Sequence, residues 1–329
     1  MTSRYEMPPR RRNADGEERR VGVELEMSGI SLEQIAQCVQ SVHGGSIDAR
    51  DRLLIEVREA DFGDYRIEFD ARWLHDRKKS DSEEVSELWA AVERYAEDAL
   101  LGLAETVVPA ELVCPPLPIS QLARLDDTVT ALREAGALGT GASVIYAFGL
   151  QFNAELPALD ADTIRRHLQA FACLTDWLRD QEQIPPTRRL SPFIRDYPLA
   201  YLRLLLQPDY APDMNGLIDD YLEHNPTRNR TLDMLPLFAL IDEARVRAKV
   251  PDQKINKRPT FHYRLPNSEI DDAQWSLHAP WNRWVQVEAL ADDQARLKRW
   301  SAAWRTHDSE NSIDFVGWRD KVTQWLSGR

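Results

Sequence analysis

The order of strand-like and helix-like segments is the feature that most constrains how this chain folds. Alternating apolar residues indicate strands, and apolar residues spaced three or four apart indicate helices. The predicted strands are Arg19–Met27, Leu53–Ala60, Tyr65–Leu74, Val107–Cys114, Ser143–Leu156 and Thr260–Leu265. The predicted helices run from Ser31 to near Gly44, over Val85–Leu103, from Ser120 to about Ala135 and from Asp160 through Trp177. This order is not a βαβ alternation, so it predicts an α+β fold around a mostly antiparallel sheet.

Local signals support several of these boundaries. Ser31 with Gln34, and Ser80 with Glu83, have the spacing of a capping box, in which a serine and a residue three positions later satisfy each other's backbone N–H groups. The turn residues 61–64 (Asp-Phe-Gly-Asp) separate the second and third strands, which predicts a hairpin.

The two ends of the chain differ from its middle. Residues 1–18 are polar and contain proline without any period, which predicts a mobile tail. Seven of the ten tryptophans lie after residue 270. Trp300 and Trp304 are four residues apart and so share a helical face. Helix packing is one interpretation of these tryptophans; stacking on a base or sugar, or docking of a partner protein, are the alternatives.

Charge and cysteine content narrow the class of protein. The 329 residues include 41 Lys and Arg against 54 Asp and Glu, a net charge of −13, which argues against binding to a nucleic-acid backbone. Three cysteines without a CxxC pair argue against a disulfide framework and a structural zinc site. No apolar run is long enough for a membrane span and no secretory signal is evident, so we expect a cytoplasmic protein.

Several common active-site motifs are missing from the sequence. It contains no GxxxxGK[ST] phosphate loop, no HExxH and no GxSxG. Gly139 and Gly141 form a GxG, but the third glycine of a dinucleotide fingerprint is lacking and the motif follows a helix. The remaining candidates are acidic residues on predicted strands.

Glu24 and Glu26 are the first of these acidic residues. They are two positions apart on the first predicted strand, so their side chains point to the same face while the apolar residues Val21–Met27 alternate to the other. Paired carboxylates at this spacing suit a hard divalent cation, which prefers oxygen ligands. The alternative is the solvated outer face of an edge strand.

Two later strands carry further candidates. Glu111 is a lone acid in the apolar run Ala110–Cys114, and because unpaired burial is expensive it needs a partner, a cation or a metal. In the last strand, His262 and Arg264 share a face, and an arginine at such a position suits phosphate recognition.

Four short motifs in order carry a family resemblance. They are Gly22-Val23-Glu24-Leu25-Glu26, Glu111-Leu112-Val113-Cys114-Pro115-Pro116, Gly149-Leu150-Gln151-Phe152-Asn153 and Phe261-His262-Tyr263-Arg264-Leu265-Pro266. Over about residues 20–270 this order resembles the putative amidoligase family, part of the glutamine synthetase-like carboxylate–amine ligase superfamily. The chain departs from the family pattern where Gln151 and Asn153 replace H-x-H, and where His262 replaces the glutamate of E-x-R.

The resemblance implies a fold and a division of the chain. The fold would be glutamine synthetase-like, a mostly antiparallel curved sheet with flanking helices and a helical, Trp-rich C-terminal part. Residues 19–270 would form the ligase domain, with helical insertions at about 185–255. Residues 271–329 would be a helical extension packed on that domain. An oligomer is compatible with the sequence, although no segment marks a ring interface.

The resemblance also implies an activity and the residues that serve it. Glu24, Glu26 and Glu111 would hold two or more Mg²⁺ ions, Arg264 and His262 would be catalytic, and the ATP-binding residues would be Lys257, Arg258, Asn153, Gln151 and Arg230. The expected function is an ATP-dependent ligase that joins a carboxylate and an amine through an acyl phosphate. An amino acid, a peptide or a protein would be the substrate, with no nucleic-acid or membrane partner. The alternative is a catalytically degenerate member that binds a nucleotide or peptide. Asp70, at a strand end, is a further candidate for the site.

Overall fold

A single antiparallel sheet organises the protein. The computed structural model describes residues 4–51, 53–69, 109–140, 148–184, 194–252, 255–311 and 315–328. Within them the strands are β1 (Arg20–Met27), β2 (Ser46–Ala49), β3 (Leu54–Ala60), β4 (Gly63–Phe69), β5 (Ala110–Val113), β6 (Leu117–Pro118), β7 (Leu150–Glu155), β8 (Leu232–Asp233) and β9 (Thr260–Tyr263). Their order is β2-β3-β4-β5-β1-β7-β9-β8, and β6 pairs with β1. All ladders between these strands are antiparallel, as the sequence predicted.

The helices of the described residues follow in chain order. They are α1 (Leu32–His43), α2 (Leu125–Glu134), α3 (Ala161–Gln181), α4 (Leu199–Leu205), α5 (Met214–His224), α6 (Leu235–Ile241), α7 (Glu243–Lys249), α8 (His278–Asp292), α9 (Gln294–Asn311) and α10 (Phe315–Ser327). A 3-10 helix at Ile119–Arg124 leads into α2. None of the helices in the described part of the chain has the length and apolarity needed to cross a membrane.

The core lies on one face of the sheet. Val23 and Leu25 of β1 are buried with the apolar residues of the neighbouring strands, because alternate side chains of a strand point to the same face. Helices α3 and α8 cover this face at β7 and β9: Trp281 is 5.5 Å from Phe152 and Trp284 is 5.6 Å from Phe261 between ring centroids. These two tryptophans are fully buried, so helix packing is the correct interpretation for them.

The observed starts of three helices test the capping residues predicted from the sequence. The capping box of α1 is confirmed, since Ser31 N donates to Gln34 Oε1 at 2.9 Å and Gln34 N donates to Ser31 Oγ at 3.2 Å. Asp160 caps α3 as predicted. The start predicted at Ser120 is wrong: the segment begins as a 3-10 turn, and α2 starts at Leu125 without a side-chain cap. The predicted helix Val85–Leu103, the first part of the predicted strand Ser143–Leu156 and Asp70 lie outside the described residues.

The N-terminal segment, which the sequence predicts to be a mobile tail, packs against α8 in the structure. Trp281 Nε1 donates to the Glu6 carbonyl at 2.9 Å, and Glu6 N donates to Asn282 Oδ1 at 2.8 Å. Tyr5 is buried and its hydroxyl donates to Asp126. Sequence periodicity could not show these contacts because each partner lies more than 100 residues away.

The two glycines that end α1 give a matched test of backbone constraint. Both have positive φ, 71° at Gly44 and 86° at Gly45, which is unfavourable for a residue with a Cβ atom. A Cβ at Gly45 would lie 2.4 Å from the Arg58 carbonyl oxygen of β3, whereas a Cβ at Gly44 would meet nothing within 4 Å. We expect Gly45→Ala to lower the free energy of unfolding by about 2–3 kcal/mol and Gly44→Ala by only about 1. Urea unfolding measures both, and equal losses would contradict the predicted clash.

Candidate functional site

The face of the sheet opposite the core carries the predicted site residues. Strand register puts Glu68 opposite Glu111, and Glu111 opposite Glu26. Residues opposite each other in a ladder lie on the same face. A second row runs from Asn153 to His262 and on to Asp233. Because β1 lies between β5 and β7, Glu24 and Glu26 are on a central strand and not on a solvated edge.

Glu24 bonds both an amide and an arginine. Its Oε1 accepts from Asn153 Nδ2 at 2.8 Å and from Arg258 NH1 at 3.0 Å, and its Oε2 lies 3.9 Å from His262 Nε2. Burial alone would raise the pKa of Glu24, but the Arg258 charge, these two hydrogen bonds and the Arg264 charge together hold it below its usual value. Glu24 is therefore an ionised, buried carboxylate.

Gln151 joins the other two carboxylates. Its Nε2 lies 3.2 Å from Glu26 Oε1 and 3.3 Å from Glu111 Oε1, so one amide donates toward both. Glu26 Oε2 also accepts from the Gly149 backbone N–H at 2.7 Å. Glu111 is buried. These contacts explain how a lone acid is accommodated in the apolar run that marked Glu111 in the sequence.

His262 connects Gln151 to Asp233. Because Gln151 Nε2 faces the carboxylates, its Oε1 faces His262 Nε2 at 2.7 Å, and the imidazole must donate there. The other ring nitrogen, Nδ1, lies 3.7 Å from Asp233 Oδ2 and 3.5 Å from Arg258 NH2. Asp233 is fully buried, and burial raises its pKa to about 6, although the charge of Arg264 and the Leu235 N–H act to lower it.

The remaining predicted residues divide into two groups. Arg264 lies near the carboxylates, since its charge lowers the pKa of both Glu24 and Asp233, and its NH1 donates to the Arg228 carbonyl at 2.6 Å. Arg230 instead donates to the carbonyls of Asp196 and His224, at 2.6 and 3.2 Å. Lys257 is half exposed and pairs with Glu243 at 2.9 Å. In these contacts, neither Arg230 nor Lys257 bonds Glu24, Glu26 or Glu111.

Asp233 is a fully buried residue of this face that sequence reasoning missed. It lies in the two-residue strand β8 within the buried run Leu232–Leu235. A lone acid in an apolar run is the same signal that marked Glu111, and it could have identified Asp233 as well.

On this face, Glu26 and Glu111 suit a metal ion better than Glu24 does. Among the described residues, no three Asp, Glu, His or Cys side chains are grouped as a ready metal site. Glu26 and Glu111 share the neutral amide of Gln151, and rotation of that amide by half a turn would present its oxygen beside two carboxylates, at the cost of its bond with His262 Nε2. This oxygen set suits Mg²⁺. Glu24 fits a metal less well, because Arg258 and Asn153 already bond its Oε1.

Comparison with known proteins gives one result for the chain as a whole. The family model described as "Putative amidoligase enzyme" matches residues 17–286. The matched range contains every strand of the polar face, from β1 to β9. Searches of curated proteins and of solved structures found no significant match.

Proposed function

Because this chain belongs to the putative amidoligase enzyme family, we propose that it is an ATP-dependent ligase that joins a carboxylate to an amine. The observation that carries this proposal is the convergence of Glu24, Glu26 and Glu111 with Arg258 on one polar face of the central strands. Acidic residues that hold a cation, together with arginine, suit the transfer of a phosphoryl group. The acyl substrate would be an amino acid, a peptide or a protein.

The proposed reaction has two steps. A carboxylate oxygen of the acyl substrate attacks the γ-phosphorus of ATP, and the bond from that phosphorus to ADP breaks, which gives an acyl phosphate and ADP. The amine nitrogen then attacks the carbonyl carbon, the bond to phosphate breaks, and the nitrogen loses a proton. Catalysis of such steps rests on positioning and on charge stabilisation.

The side chains of the polar face have distinct proposed roles. Arg258 and Arg264 would balance the negative charge of the transferring group, since a guanidinium recognises phosphate oxygens well. His262 and Asp233, 3.7 Å apart, form the pair that can hold the proton released by the amine. Mg²⁺ held by Glu26 and Glu111 would supply further positive charge to the phosphates.

The arrangement of the sheet and its helices also supports this proposal. The sheet is antiparallel, its helices cover the apolar face, and its polar face carries the acidic residues. We propose that the fold is of the glutamine synthetase-like class, with residues 19–270 as the ligase domain and 271–329 as a helical extension. In the structure, α8 of that extension packs on α3 and on the sheet.

The test is an ADP-release assay with Mg·ATP and a panel of amino acids, peptides and amines. We expect ADP release that requires both a carboxylate and an amine. Glu26→Gln should reduce turnover by about 100-fold, because one charged ligand of the phosphate-binding region is lost. Glu33→Gln, the same change at an exposed position of α1, should leave turnover unchanged.

Two outcomes separate this proposal from its alternative. The ligase proposal would be contradicted if the wild type showed no more turnover than Glu26→Gln with any pair of carboxylate and amine, and no thermal shift with Mg·ATP. A thermal shift without ADP release would favour a non-catalytic, nucleotide-binding member. The Arg258–Glu24 bond and the Gln151 bridge favour that alternative, because both satisfy the acidic residues without a ligand.

A further inference from the structure

We propose that the acyl substrate is a free α-amino acid, and that it binds on the polar face between Asn153, Thr260 and Arg258. Its ammonium group would donate to Asn153, and its α-carboxylate would accept from Arg258. This inference rests on the proposed function and deepens it, because it narrows the acyl substrate from an amino acid, a peptide or a protein to one chemical class. It also gives Asn153, which the family resemblance assigns to ATP, to the acyl substrate instead.

Three buried polar atoms in this part of the face have no hydrogen-bond partner among the described residues. They are Asn153 Oδ1, Thr260 Oγ1 and Arg258 Nε. The Asn153 residue is only 5% exposed. Because a buried polar atom without a partner costs free energy, such atoms are rare in native proteins. Three of them in one region indicate a ligand that supplies the missing partners.

Strand register and a shared bond bring these groups together. Asn153 of β7 lies opposite His262 of β9, and Thr260 is two residues before His262, so all three are on the polar face. Asn153 and Thr260 are therefore diagonal neighbours, at a spacing of about 7–8 Å that a small ligand can bridge. Asn153 Nδ2 and Arg258 NH1 both bond Glu24 Oε1, at 2.8 and 3.0 Å.

The charges of this region suit a zwitterion. Glu24 is ionised, and its Oε2 lies 3.9 Å from His262 Nε2, beyond hydrogen-bond distance, so it can accept from a further donor. The Glu24 carboxylate and Asn153 Oδ1 favour an ammonium group, whereas the Nε–H of Arg258 favours a carboxylate. An α-amino acid carries both groups on one carbon atom. A simple amine or a simple carboxylate would satisfy only one side.

Gly22 leaves space beside the Asn153 amide. It lies opposite Asn153 in the β1–β7 ladder and two residues before Glu24, so a side chain at this position would point to the polar face. A Cβ atom at Gly22 would lie 3.4 Å from Asn153 Cβ and 3.7 Å from Asn153 Nδ2, which are ordinary contact distances. The fold therefore tolerates alanine at this position, but the methyl group would fill space next to the amide.

The experiment measures binding to the full-length protein by isothermal titration calorimetry, with and without Mg²⁺ and a non-hydrolysable ATP analogue. The probes are the common α-amino acids, titrated one at a time. We expect at least one to bind, and its N-acetyl derivative and its amide to bind at least about tenfold more weakly, because each lacks one of the two charges. Equal binding of the three forms would overturn the proposal. Binding of no amino acid would also overturn it, since water alone would then satisfy the unpartnered atoms.

Matched variants separate a substrate contact from a structural one. Thr260→Val removes an unpartnered hydroxyl at nearly constant shape, so it should weaken amino-acid binding at least about threefold while the protein becomes no less stable. Gly22→Ala should also weaken binding at least about threefold. Tyr201→Phe is the control: its hydroxyl is buried and unpartnered too, but it lies among the rings of Tyr197 and Tyr221, so binding should not change. Unchanged binding in both Thr260→Val and Gly22→Ala would contradict the assignment.

Binding requires no turnover, so this inference and the ligase proposal can fail separately. Amino-acid binding without ADP release would contradict only the ligase proposal, and ADP release without amino-acid binding would contradict only this inference. With hydroxylamine as the amine, turnover should yield the hydroxamate of the bound amino acid. A hydroxamate formed only from other carboxylates would contradict its role as the acyl substrate.

Discussion

Replacing Arg19 with methionine is expected to lower the free energy of unfolding by about 3–5 kcal/mol, because it leaves a buried carboxylate without its cation. Arg19 is fully buried, and its guanidinium contacts Glu288 of α8 through two hydrogen bonds, at 2.7 and 2.9 Å. Its Nε also donates to the Glu155 carbonyl at 2.7 Å. This cluster joins the start of β1 and the end of β7 to the helix that covers them.

A double-mutant cycle isolates the contribution of the Arg19–Glu288 ion pair to this loss of unfolding free energy. Glu288→Gln keeps an oxygen for Trp284 Nε1, which donates to Glu288 at 2.8 Å. We expect Arg19→Met with Glu288→Gln to be less destabilised than the sum of the two single variants. Arg20→Met is the control: this neighbouring arginine is exposed, and its side chain bonds the Pro116 carbonyl, so the loss should stay within about 0.5 kcal/mol.

The same pair predicts a pH dependence. Burial alone would raise the pKa of Glu288, but the charge and hydrogen bonds of Arg19 hold it below its usual value. Stability from a lowered carboxyl pKa is present at neutral pH and is lost as the pH falls through the acidic range. The difference in unfolding free energy between wild type and Arg19→Met should therefore shrink on acidification. Urea unfolding at several pH values measures it, and a difference independent of pH would contradict the ion-pair explanation.

Local patterns predicted the strands and the faces of the sheet well. The alternation over Arg19–Met27 corresponds to β1 (Arg20–Met27), and the predicted hairpin corresponds to β3 and β4. A two-residue period determines which side chains share a face, whatever the strand order. Glu24 and Glu26 could therefore be placed on a polar face before any neighbour was known.

The pairing of side chains across the sheet could not be predicted in the same way. The family resemblance implies a catalytic Arg264 and an ATP-binding Arg258, but only the order β1-β7-β9 and the path before β9 show that Arg258 bonds Glu24. The two residues are 234 positions apart, and no local period reports such a contact. The short strands β2, β6 and β8 were missed for a related reason, because two to four residues are too few to show a clear alternation.

Substitution of Asp233 by asparagine is expected to make the protein more stable and less active. Asp233 is fully buried, its Oδ2 has no hydrogen-bond partner, and burial raises its pKa to about 6. An unfolded aspartate has a pKa of about 3.9, so ionisation of Asp233 at neutral pH costs the folded state about 3 kcal/mol. Ionisation of Asp233 should therefore lower wild-type stability progressively as the pH rises from about 4 to 7, and Asp233→Asn should lack this contribution. Its advantage should reach about 3 kcal/mol at pH 7 and vanish below pH 4.

The activity of the same variant shows whether Asp233 takes part in the reaction or is only a buried acid with a raised pKa. If Asp233 helps His262 to hold the amine proton, Asp233→Asn should lower ligation at least about tenfold while its unfolding free energy rises. Asp176 of α3 is the matched control, because burial raises its pKa to about 6 as well and its charged neighbours are Asp196, Arg179 and His307. Asp176→Asn should gain stability at neutral pH and keep full activity. Equal activity in both variants would remove Asp233 from the proposed mechanism, since burial without function would then explain its raised pKa.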